Sequence, residues 1–170
     1  MIRPARPQDA ADERSIERAA GARFADIGML FVAEHEPMSA EELVKYAREG
    51  RSWVATDSDD RAVGYVIADV AAGCAHIEQV TVHPDHQGEG LGRALISEVE
   101  RWAAEEGLAA VTLTTFADVS WNRPLYEHLG YTVLDDYELS PELRQIRDAE
   151  TSRGLDPSTR VCMRKRLSGT

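Results

Sequence analysis

The sequence predicts an α/β protein with an α+β mixed sheet: a β-meander followed by β-α-β-α-β, with helices on both faces. Three observations predict it. Stretches rich in β-branched residues alternate with stretches whose apolar residues recur at helical spacing. The strand candidates between residues 52 and 82 follow one another through short turn segments only, which is a meander. The chain has 170 residues and carries no repeat, low-complexity run or linker, so one domain over residues 1–170 is expected.

Taken in order, residues 2–6 read as a short strand. Asp9 is placed to N-cap a helix from Ala10 to about Phe24, with Ile16, Ala19, Ala20 and Phe24 inward. Residues 26–37 contain Gly28 and Pro37 and read as a loop or broken helix. Ser39-Ala-Glu-Glu42 is a capping box: Ser39 accepts from an orphan N–H and Glu42 reaches back. Gly50 ends that helix. Ser52–Thr56, Ala62–Val70 and His76–Val82 are the meander strands, separated by 57–60 and 71–75. Leu91–Glu106 has the clearest helical spacing, through Leu91, Ala94, Leu95, Val99, Trp102 and Ala103, and Gly107 ends it. Ala110–Thr115 is a strand, 120–129 a helix and Tyr131–Leu134 a strand. Ser140-Pro141 opens another helix, with Ser as N-cap and Pro at the first helical position. Gly154 closes it, and Arg160–Leu167 is the last strand.

The charge balance is 19 Lys+Arg against 30 Asp+Glu, a net charge of -11. That argues against a nucleic-acid binder, which needs a basic footprint. It also disfavours docking on an anionic membrane. No stretch approaches the roughly 18–20 apolar residues of a membrane span, and no signal-peptide core follows Met1-Ile2-Arg3-Pro4. Cys74 and Cys162 lie in no paired-spacing motif and read as free thiols of a reducing compartment, so the expected location is cytoplasmic. Abundant Ala and an excess of Arg over Lys point, by association only, to a GC-rich bacterial genome.

The most informative segment is Val80-Thr-Val-His-Pro-Asp-His-Gln87-Gly88-Glu89-Gly90-Leu91-Gly92-Arg93. A strand ends, glycines follow at 88, 90 and 92, and a long helix begins. Backbone N–H groups at a helix N-terminus are unpaired and sit at the positive end of its dipole. Glycine lets an anion approach them, so the pattern predicts a pyrophosphate cradle. The spacing is neither the Rossmann nor the P-loop fingerprint. A plain Gly-rich turn is the alternative.

Here the sequence resembles the GNAT superfamily of N-acetyltransferases. Their cofactor loop, Gln/Arg-x-x-Gly-x-Gly/Ala, is matched by Gln87-Gly-Glu-Gly90-Leu-Gly92, and their Val-x-Pro turn by Val82-His83-Pro84. Their second signature is matched by Asn122-Arg-Pro-Leu-Tyr126-Glu127-His-Leu129-Gly130-Tyr131. The resemblance covers residues 76–134 closely and 2–166 by element order.

The resemblance implies acetyl-CoA as co-substrate. It implies that the main chain of Val80 and Val82 pairs with the pantetheine arm like an added strand. The amides of Gln87, Gly88, Gly90, Gly92 and Arg93 would hold the pyrophosphate, and Asn122 would lie near the pantetheine. One departure is Glu89, where family loops often carry a cation; it is expected to face solvent and pair with Arg93 at i,i+4.

Acetyl transfer to an amine requires a base for an ammonium of pKa about 10, a donor for the oxyanion and an acid for the leaving thiolate. The resemblance implies Tyr126 as acid and a backbone N–H of Val80 or Val82 as oxyanion donor. For the base, Glu78 is the first choice and His76 a relay, since both share one face of the third meander strand. The plain alternatives are packing for Tyr126, a solvated or ion-paired carboxylate for Glu78, and a partly exposed strand-end imidazole for His76. A metal at His83-Pro-Asp85-His86 is not expected, because a short proline turn supplies too few converging ligands.

Thr112, Thr114, Thr115 and Phe116 flank the expected acetyl site, and Trp53 and Trp121 are pocket or core candidates. Glu34, His35 and Glu36 would attract a cationic acceptor or form a solvated charge run. The segment 135–155 is expected to insert a helix between the last strands. The expected partners are acetyl-CoA and a small cationic amine or a protein amine. A homodimer is one expected assembly, because GNAT domains often dimerise. Neither cysteine stands at a nucleophile position, which favours direct attack in a ternary complex. The competing reading is an acyl-CoA-binding sensor without turnover.

Overall fold

A computed structural model describes residues 1–26, 38–116, 123–135, 138–152 and 160–167. Its strands are β1 (Ile2–Pro4), β2 (Ser52–Thr56), β3 (Ala62–Ala71), β4 (Cys74–Val82), β5 (Ala110–Phe116), β6 (Thr132–Val133) and β7 (Arg160–Arg166). Its helices are α1 (Ala10–Asp26), α2 (Ala40–Arg48), α3 (Leu91–Glu105), α4 (Arg123–His128) and α5 (Pro141–Ser152). The strands make one seven-stranded mixed sheet in the order β1-β2-β3-β4-β5-β7-β6. β1–β2 and β2–β3 are antiparallel, β4–β5 is parallel, and β5–β7 and β6–β7 are antiparallel. β7 pairs with β5 from Ala110↔Arg166 to Phe116↔Arg160, whereas β6 offers it only Thr132 and Val133. The longer ladder takes the inner place and the two-residue strand takes the edge.

By its contacts the chain divides into two compact units, Met1–Ala68 with Glu78–Glu98, and Asp69–Ile77 with Val99–Thr170. In the first, Ile16, Leu43, Val54, Tyr65 and Ile67 form one buried cluster. Full burial of an aliphatic side chain contributes roughly 1.5–3 kcal/mol. α2 starts where its cap predicts: Ser39 Oγ accepts from the Glu42 N–H at 3.2 Å. The Glu42 carboxylate, however, accepts from the Ser39 hydroxyl at 3.2 Å instead of a backbone N–H. Asp9 does not cap α1. It ends a preceding 3-10 turn, and its carboxylate accepts from the Arg6 N–H at 2.7 Å and the Arg3 guanidinium at 2.8 and 3.0 Å. A cation this close outcompetes a neutral helix N–H. The inward face of α1 is also less apolar than expected. Ile16 is buried, but so is Glu13, while Ala19 and Ala20 are half-buried.

In the second unit Leu134, Leu143 and Cys162 form a buried cluster covered by Leu139 and Ile146. Ser140 Oγ accepts from the Leu143 N–H at 3.2 Å and caps α5, so the 135–155 segment does place a helix between β6 and β7. Cys74 and Cys162 are both free thiols. Among the described residues no helix is long and apolar enough to cross a membrane.

Candidate active site

The loop between β4 and α3 is held by its own side chains. Gln87 Nε2 donates to the Val82 carbonyl at 2.8 Å. The His83 N–H donates to the Val63 carbonyl at 2.8 Å, and His83 Nδ1 accepts from the Asp85 N–H at 3.1 Å. His83 therefore closes the proline turn. Gly88 and Gly90 have φ of +82° and +78°, a region glycine enters without steric cost. Both are exposed, and a Cβ built on either would meet no atom within 4 Å. Gly92 is different: it lies in the first turn of α3, where a Cβ would stand 3.8 Å from Val82 Cγ2.

The Ala94 N–H donates to the Gly90 carbonyl at 3.1 Å. The amides of Leu91, Gly92 and Arg93 thus precede that i→i−4 bond and belong to the turn whose N–H groups every helix leaves without intrahelical acceptors. With the positive dipole end of a 15-residue helix, they make an anion-accepting surface. The Gln87 N–H is less available, since it donates to the Pro84 carbonyl at 3.3 Å. Glu89 pairs with His86, Nδ1 to Oε2 3.2 Å, rather than with Arg93. An i,i+4 pair needs helical backbone between its members, and α3 begins only at Leu91. Arg93 is exposed.

β4 pairs with β5 over Ala75–Ile77 opposite Val111–Leu113, and then runs on to Val82. His76 faces Thr112 in this register, and its Nδ1 lies 2.9 Å from Thr112 Oγ1. Either partner can donate that bond. His76 is 2% exposed and Thr112 1%, so the partly exposed strand-end imidazole is not what forms. Glu78 and Val80 follow at alternate positions, both half-buried, and Val82 is buried. Trp53 is buried in β2 as a core residue.

Tyr126 lies in α4 and is 8% exposed. Past the helix, Gly130 adopts φ of +97°. Its N–H donates to the Glu127 carbonyl at 3.1 Å, and the Tyr131 N–H donates to the Tyr126 carbonyl at 3.0 Å. This is a Schellman cap, which brings the residue after the glycine back over the last turn. The rings of Tyr126 and Tyr131 meet edge-to-face, 6.0 Å between centroids at 69°. Asn122 and Trp121 lie outside the described residues, as do Glu34, His35, Glu36 and Gly154. Thr114, Thr115 and Phe116 contribute backbone to the β5–β7 ladder.

The sequence model of the acetyltransferase (GNAT) family matches residues 20–131. The chain belongs to the GNAT acetyltransferase family. Mycothiol acetyltransferase from Kocuria rhizophila is 36% identical to this GNAT chain over 99 residues, 49% of this chain and 33% of that protein. The chain thus spans about a third of that curated relative's length. The crystal structure of PaiA N-acetyltransferase from Thermoplasma acidophilum, in complex with coenzyme A, matches with a TM-score of 0.72 at 16% identity, over 98% of each chain. The ribosomal-protein-S18-alanine N-acetyltransferase from Escherichia coli matches with a TM-score of 0.67 at 20% identity, over 100% of this chain and 95% of that one. At these identities the likeness is one of fold: the mixed sheet is a GNAT sheet.

Two features of this GNAT chain carry no sequence signal of their own. Thr112 draws attention only as strand polarity, and its contact with His76 depends on a register set across 36 residues. Glu100, to which the Tyr131 hydroxyl donates at 2.9 Å, looks in the sequence like any helix-surface carboxylate.

Proposed function

We propose that the chain is an N-acetyltransferase that moves acetyl from acetyl-CoA to a primary amine by direct attack in a ternary complex. The observation that carries this is the loop from Gln87 to Arg93. Two left-handed glycines with open space above them lead into the free amides of a long helix. This arrangement fits a pyrophosphate, because a protein of net charge -11 needs local donors to hold a polyanion. The amides of Gly88, Gly90, Gly92 and Arg93 would supply most of those donors, with Gln87 bracing the loop against Val82. The main chain of Val80 and Val82 would align the pantetheine arm, and Asn122 is assigned beside it from the motif alone.

Acetyl-CoA supplies the acetyl group as an activated thioester. Glu78, with His76 as relay, takes the proton of the acceptor ammonium directly or through water. A backbone N–H of Val80 or Val82 donates to the charge developing on the acetyl oxygen. Tyr126 gives its phenolic proton to the departing thiolate. The proposed acceptor is a small cationic amine or a protein amine, drawn by the acidic surface.

The test is thiol release from acetyl-CoA across a mixed amine panel, beside thermal shifts with acetyl-CoA and with NAD. Release with at least one amine, and a shift with acetyl-CoA but not NAD, is the expected result. A shift with no release across the panel would move the reading to a sensor.

A further inference from the structure

We propose that Tyr131, locked by Glu100 and Lys165, is a positioning residue that holds the Tyr126 ring in place for proton transfer. This rests on the reading of Tyr126 as the acid. Tyr126 lies in the six-residue α4, and the cap that follows packs a second ring against it. In that cap the Tyr131 ring stands edge-on to Tyr126. Contacts of this kind commonly accompany a Schellman turn and are ordinarily only apolar. Here the second ring is pinned. The Tyr131 hydroxyl donates to Glu100 Oε2 at 2.9 Å, and Lys165 Nζ donates to Glu100 Oε1 at 3.1 Å.

The lock is mostly out of water. Tyr131 is 1% exposed, and the side chains of Glu100 and Lys165 are 18% and 33% exposed. The lysine also packs on the cap: its Cε would lie 3.5 Å from a Cβ at Gly130, and its Nζ stands 6.0 Å over the Tyr131 ring. Burial and the Glu100 carboxylate hold the Tyr131 phenol well above the usual tyrosine range, so it stays a donor. A phenyl ring would fill the same space without the hydroxyl, and the attachment of that hydroxyl to a lysine-paired carboxylate is what fixes the ring. Proton transfer is sensitive to such placement, since an error of about 1 Å can cost up to ~100-fold in rate.

A double-mutant cycle tests the idea, with kcat measured at saturating acetyl-CoA on the best amine of the panel. Tyr131→Phe should fold, leave the acetyl-CoA KM unchanged and lower kcat roughly tenfold. In a Tyr126→Phe background the same change should have no further effect, because it acts only through Tyr126. Glu100→Gln keeps an acceptor for the Tyr131 hydroxyl and should retain more kcat than Glu100→Ala. Multiplicative losses in the double variant would overturn the proposal. So would wild-type kcat in Tyr131→Phe beside an impaired Tyr126→Phe, which would leave the acid assignment standing. Wild-type kcat in Tyr126→Phe would remove the acid assignment and this proposal together. Should Tyr131→Phe fail to fold, the same cycle run with Glu100→Gln and Glu100→Ala decides between these outcomes.

Discussion

Glu13 is a carboxyl held away from water, 1% exposed on α1, with the Ser52 hydroxyl 3.4 Å from its Oε1. Burial pushes its pKa up to about 8, and the carboxylates of Asp9 and Asp12 add to the push while Ser52 and Arg3 oppose it. Between about pH 4.5 and 8 the folded chain keeps a proton that the unfolded chain has released. Stability therefore falls as pH rises through that window and levels off above it. Asp9 runs the other way. Burial opposes its ionisation, but Arg3 and the Arg6 N–H outweigh that and hold its pKa below the usual value, so its contribution is lost as pH falls through the acid range. Glu13→Gln should match the wild type near pH 5 and exceed it at pH 9 by about 2–4 kcal/mol in urea unfolding. Equal pH slopes for the two proteins would show that Glu13 is ionised in the fold. At the proposed site, Tyr126→Phe should lower kcat by about 100-fold with acetyl-CoA binding intact. Glu78→Gln should flatten the acidic limb of the kcat/KM profile, and full activity across that profile would remove Glu78 as base.

The loop and α3 form the element on which the proposed cofactor binding turns, and Gly92 separates its two roles. Gly92 sits inside the helix, and a Cβ there would make an ordinary contact at 3.8 Å with Val82 Cγ2. Gly92→Ala should thus leave Tm unchanged or raise it slightly, since alanine is favoured over glycine within a helix by about 1 kcal/mol. If the amides of that turn hold a pyrophosphate, the added methyl should raise the acetyl-CoA KM about tenfold or more. An unchanged KM would show that the phosphate lies elsewhere. This element was legible in the sequence because its determinants are local: a β-branched run, a proline turn, spaced glycines and a helical repeat, all between Val80 and Glu106. The capped starts of α2 and α5 were legible for the same reason. The His76–Thr112 contact, the inner place of β7 and the buried carboxyl in α1 were not. Each depends on which distant residue arrives opposite, and no local period encodes that. Glu89 shows the converse, since its spacing to Arg93 was right but the helix begins only at Leu91, after Glu89.

Net charge acts on the whole molecule, and it bears on the two proposed substrates in opposite directions. A chain at -11 repels a polyphosphate at long range and attracts a cation, and salt screens both over a Debye length of about 10 Å at 0.1 M. Acetyl-CoA binding, if carried by amides and a helix terminus, rests on short contacts that salt reaches weakly, and screening even relieves the long-range repulsion. Capture of a protonated amine gains from the long-range field and has more to lose. Raising ionic strength from about 0.05 to 0.5 M, across which the Debye length falls severalfold, should raise the acceptor KM by several-fold. The acetyl-CoA KM should stay level or fall. A neutral amine from the same panel serves as the control, because the field has no charge on it to act upon. If cationic and neutral acceptors respond alike, the acidic surface serves solubility and the acceptor is selected by contacts alone. If the acetyl-CoA KM rises most, the cradle depends on the exposed Arg93 guanidinium more than on its backbone amides. Arg93→Gln would then reproduce the high-salt value at low salt.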